Sequence, residues 1–97
     1  MEEVSGYVFE DNLGKVVEHV AWCAGYRWDD LDDGAVEAGL KATDEDADVW
    51  FDYPIGALTL HLTRDHGGSM IRVRVTGITN EVAAVHLDTI LGVHWLP

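Results

Sequence analysis

The sequence predicts an α+β fold, a four-stranded antiparallel β-meander with an N-terminal and a C-terminal helix packed on one face. Three observations carry that expectation. Residues 11–24 hold an apolar stripe at the helical period, the period falls to two from residue 35 to residue 76, and a helical period returns after Asn80.

Val4 to Phe9 alternates only loosely and reads either as a short strand or as a helical extension. In the next segment Leu13, Val16, Val17, Val20, Ala21 and Ala24 recur every three or four residues, the pattern of one buried helix face. Asp11 or Asn12 can cap its start, and Gly25 stands where a left-handed residue ends a helix. Trp22 lies opposite the stripe, near Lys15 and Glu18, so it either packs against another part of the chain or meets a partner. Trp28, just past this helix, and Trp95, in the apolar tail Val93–Pro97, are expected to tuck over the core edge.

Val36, Ala38 and Leu40 alternate with Glu37, Gly39 and Lys41, which predicts a first half-buried strand over 35–41. A polar turn over 43–47 follows. Val49, Phe51 and Tyr53 then alternate with Asp48, Trp50 and Asp52, and Pro54-Ile55-Gly56 ends that strand. Leu58, Leu60 and Leu62 alternate with Thr59, His61 and Thr63, and Ile71, Val73 and Val75 with Arg72, Arg74 and Thr76. The short intervening loops favour antiparallel neighbours. Residues 81–91 read as a helix with Ala83, Ala84, Leu87, Ile90 and Leu91 on its apolar face, Asn80 as cap, Glu81 in the first turn and Gly92 closing it. A fifth strand over Val82–Leu87 is the alternative. The helix is preferred because a sheet with one bare face needs a cover.

Ninety-seven residues, 47% of them hydrophobic, suit one folded domain, 1–97. A formal net charge of -12 opposes direct binding to nucleic acid or to an anionic membrane. Cys23 is the single cysteine, so no internal disulfide forms, and a reducing compartment fits. The opening MEEVSGYVFEDN has no apolar core of a signal peptide, and no apolar run is long enough to span a bilayer. A soluble cytoplasmic domain is therefore expected.

Ten of the eighteen carboxylates fall between Asp29 and Asp52: Asp29, Asp30, Asp32, Asp33, Glu37, Asp44, Glu45, Asp46, Asp48 and Asp52, with Lys41 as the only basic residue among them. Such crowding raises the folded-state free energy unless the charges are solvated, bound to a cation or matched by a basic surface. Asp44, Asp46, Asp48 and Asp52 occupy positions 1, 3, 5 and 9 of a calcium-loop pattern, but Val49 replaces its glycine and Ile55 its bidentate glutamate, so no such loop is expected. Histidines 19, 61, 66, 86 and 94 lack zinc-type spacing; His61, Asp65 and His66 make a weak ligand set, and His86 and Asp88 are expected to be solvated. Cys23 has only His19, one turn back, as a possible base and reads as a half-buried structural thiol. Gly67-Gly68 precedes no helix and is no phosphate loop. No catalytic residue, metal or cofactor is assigned.

Pairing Leu62 with Ile71, Leu60 with Val73 and Leu58 with Val75 places all six in the core. It leaves His61 beside Arg72 and Thr59 beside Arg74 on the other face, next to Asp48, Trp50 and Asp52. Cross-strand ion pairing alone explains that mixture, at tenths to about 1 kcal/mol per pair. As a binding face, the exposed Trp50 would be the anchor. The expected function is a small acidic protein-binding module: an immunity or antitoxin-type inhibitor, or a nucleic-acid mimic, covering a basic site on a toxin or nucleic-acid-binding effector. Its candidate partner-binding residues are Asp29, Asp30, Asp32, Asp33, Asp48, Trp50, Asp52, His61, Arg72 and Arg74. The alternatives are an accessory domain that forms a homodimer, a small-molecule or metal-binding module and, with least support, an enzyme.

Overall fold

The computed structural model describes residues 3–26, 33–43, 49–64 and 70–94. These form an α+β arrangement of one open sheet of four antiparallel strands and three helices, with order β1 (Glu3–Phe9), a 3₁₀ turn (Glu10–Asn12), α1 (Leu13–Cys23), α2 (Asp33–Ala42), β2 (Phe51–Ile55), β3 (Leu58–Arg64), β4 (Met70–Thr76) and α3 (Glu81–His94). The strands lie in the order β1-β4-β3-β2. Only β2, β3 and β4 form a meander. The fourth strand is β1, added to the free side of β4, so α1 and α2 carry the chain from one sheet edge to the other.

The expected strand over 35–41 is a helix. Val36 and Leu40, four residues apart, are buried, whereas Ala38, which strand alternation would bury with them, is exposed. Positions i and i+4 satisfy both periods, and Ala35, Glu37, Leu40, Lys41 and Ala42 are sound helix formers. Gly39 leaves the space that the Phe51 ring of β2 fills. The expected 48–53 strand begins at Phe51 and runs on through Pro54 to Ile55. Proline is tolerated there because β2 is an edge strand. Gly56, with φ +62°, opens the two-residue turn into β3 as a II′-type hairpin requires.

The β3–β4 register differs from the expected one by two residues. Leu62 pairs with Val73, Leu60 with Val75 and Arg64 with Ile71. A slip of two keeps every side chain on its expected face, so the apolar pattern cannot distinguish the registers. The change moves the polar neighbours: His61 lies opposite Arg74, and Thr63 opposite Arg72.

Val4 and Val8 of β1, Leu58, Leu60 and Leu62 of β3, and Ile71, Val73 and Val75 of β4 share one apolar cluster with Val16, Val17 and Val20 of α1, Val36 and Leu40 of α2, and Ala84, Leu87 and Leu91 of α3. Gly6 continues the inward row of β1, and the side chain of Leu91 packs over it; an added Cβ would lie 3.2 Å from Leu91 Cβ. That space lets α3 sit close on β1. Helix α1 ends in a Schellman motif: Gly25, at φ +83°, donates to Trp22 O, and Tyr26 donates to Ala21 O. Its start has no side-chain cap at Asn12; the 3₁₀ turn leads in instead. Asn80 caps α3 by accepting from the Val82 amide at 2.8 Å. Gly92 does not close α3, which continues to His94.

Candidate functional site

Registers fix what the outward face of the sheet carries. One row crosses all four strands as Ser5, Arg74, His61 and Asp52; beside it Tyr7, Arg72 and Thr63 form a second row. Trp50, two residues before Asp52, rises over the two arginines. The Thr63 hydroxyl donates to Val49 O at 2.8 Å and ties the segment entering β2 to the sheet.

The guanidinium carbon of Arg74 lies 5.0 Å from the Trp50 ring centroid, and that of Arg72 lies 5.6 Å from Trp50 and 5.7 Å from Tyr7. Each distance is within cation–π range. Trp50, expected to be exposed, is half-buried, and its immediate neighbours are cations. Carboxylates stand at the margins. Asp52 Oδ1 is 2.5 Å from His61 Nδ1, His61 Nε2 is 2.8 Å from the Thr76 hydroxyl, and Glu3 is 3.7 Å from Arg74 Nε. In a neutral imidazole Nδ1–H donates to Asp52 and Nε2 accepts from Thr76. Both nitrogens of His61 are then engaged, one by a carboxylate and the other by a hydroxyl.

Of the other expected site residues, Asp29, Asp30, Asp32 and Asp48 lie outside the described residues, as do Asp44–Asp46 of the calcium pattern, Asp65, His66, Trp28 and Trp95. Asp33 opens α2, and its side chain lies outside them too. The structure brings together Trp50, Asp52, His61, Arg72 and Arg74. It adds Tyr7 and Glu3, which the sequence reading missed because Gly6 interrupts the apolar alternation of β1 and left that segment unassigned.

A second cluster joins the helices. His19 Nδ1 and His86 Nε2 are 3.1 Å apart, and the exposed Trp22 ring lies 5.5 Å from that of His86. His86 is thus half-buried and partnered, contrary to the expectation of a solvated side chain. Trp22 touches α3 through His86 and remains 70% exposed. At the far end of β3, Arg64 forms a two-pronged bond with Glu10, both contacts at 3.1 Å. This holds the Glu10 carboxyl below its ordinary range. Burial raises the Cys23 thiol, which favours its protonated form at neutral pH. Among the described residues no three His, Cys, Asp or Glu side chains converge as metal ligands, and no helix is long and apolar enough to cross a membrane. The arrangement is a mixed aromatic and charged surface suited to contact.

No family model, curated protein or solved structure matches this chain.

Proposed function

We propose that this chain is a small acidic protein-binding module, of the immunity, antitoxin or nucleic-acid-mimic kind, that covers a basic site on a partner protein. The observation that supports it is the outer sheet face, where Trp50, Tyr7, Arg72 and Arg74 stack on a surface that buries none of them. Trp, Tyr and Arg are the residues that dominate binding energy at protein interfaces. The net charge of -12 draws a basic surface towards the molecule and raises the association rate. The stacked face then supplies the short-range anchor. A second reading, self-association, draws on a different surface: Trp22, Val82 and Val85 are large apolar side chains left 70%, 78% and 63% exposed on α1 and α3.

The test is a pull-down with tagged full-length chain at low and moderate salt, run beside Trp50→Ala. One stoichiometric basic protein, weakened by salt and lost with Trp50→Ala, is the expected result. No co-eluting protein at either salt, with elution at twice the chain mass in both, would replace it with self-association.

A further inference from the structure

We infer that Arg72 and Arg74 form a carboxylate slot, built to receive one Asp or Glu side chain of the partner protein. The inference rests on the outer face being the docking surface and adds the chemistry that this surface recognises.

Two features of the arginines point to it. Arg72 lies over the rings of Tyr7 and Trp50 and Arg74 over that of Trp50, which holds the two planar guanidinium groups against aromatic surface. Their N–H donors lie in those planes, at the edges, in the fork that matches a carboxylate. Among the described residues these donors also lack the acceptors that an acid-rich chain would be expected to give them. The sequence has eighteen carboxylates against six Lys and Arg, yet among the described residues none pairs with Arg72. Among the same residues Arg74 has only Glu3, at 3.7 Å, and its Nε is shut off from solvent without a hydrogen bond. Arg64, by contrast, is fully forked onto Glu10.

The space is of the right size. A hollow of about 230 Å³ opens beside both arginines, lined also by Ser5, Tyr7 and Trp50. A carboxylate side chain fits it. The overall charge of -12 repels a polyanion such as nucleic acid, whereas one carboxylate set in a basic surface is drawn in twice: its surroundings by the acidic molecule, and the carboxylate by the arginine pair.

The test is NMR of the full ¹⁵N-labelled chain, following the Arg72 and Arg74 Nε–H and Trp50 indole signals. The probes are glutamate capped at both ends, capped glutamine and inorganic phosphate, each in large excess. Capped glutamate should shift all three signals and capped glutamine none. Arg72→Met and Arg74→Met should each weaken the response roughly tenfold or more, as loss of a charge-assisted bond does. Arg72→Lys, which keeps charge without the fork, should fall between, and the backbone spectrum shows whether each variant is folded. Equal shifts with glutamine, tighter binding of phosphate, or a response only after Asp44, Asp46 and Asp48 are changed to Asn would each overturn the slot. The last would mean that the chain fills it itself. A glutamate-specific response with an empty pull-down would instead keep the slot and remove the partner reading.

Discussion

Arg64 and Glu10 show how a single pair joins distant parts of the chain, fifty-four positions apart and bonded through both guanidinium prongs. Because the fork lowers the Glu10 carboxyl below its unfolded value, the stability it gives is complete above the ordinary carboxylate range and disappears as pH falls through the lowered value. Arg64→Met should therefore reduce the urea midpoint at neutral pH, and the gap from wild type should close in acid. Half-exposed as the pair is, the neutral-pH loss should stay under about 1 kcal/mol. A gap that widened on acidification would contradict the linkage. At this scale the sequence revealed less than elsewhere. Trp50, Arg72 and Arg74 were assigned to one face by alternation alone, but their stacking depends on register and on Tyr7 of a strand that alternation did not secure.

Helix α2 is the element whose identity the pattern left undecided. Three apolar positions two apart fit a strand, and the outer two of them fit one helical turn equally well. What decides is the fate of the middle one. Leu40→Ala should cost about 2–4 kcal/mol as a buried truncation, while Ala38→Ser, on the exposed side, should cost less than about 0.5 kcal/mol. Comparable losses at both sites in urea unfolding would favour the strand. Helix α1 was legible because its apolar stripe runs over three turns, long enough to exclude a period of two, whereas α3 was preferred over a strand because the sheet needs a cover. The β3 and β4 strands were legible as strands and as faces. Their pairing was not, because a register slip of two exchanges one Leu–Val or Leu–Ile contact for another.

At the scale of the whole molecule, charge is the property that the sequence states most plainly and the fold accommodates least visibly. Asp29, Asp30, Asp32 and Asp33 repel one another in any compact state. Changing all four to Asn should leave the fold intact or raise its melting temperature slightly, while slowing capture of a basic partner at low salt. Unfolding of that variant would mean that the block is tied into structure or to a cation, and the steering role would fall. Topology was only half legible. Counting strands reached four, but the fourth lay at the N-terminus, beside β4, because sequence order does not say which edge a strand joins.

The place of Pro54 sets how this sheet can grow. In a two-residue hairpin closed by Ile55 and Leu58, the next pair, Pro54 and Thr59, points its backbone groups away from the partner strand. Pro54 thus puts its missing N–H on the free edge of β2, where an incoming strand would look for a donor. No described strand lies beyond β1 at the opposite edge, and β1 contains no proline. Strand addition at the β2 edge is therefore disfavoured. Two copies joined β1 to β1 would make one eight-stranded sheet with a proline on each outermost strand.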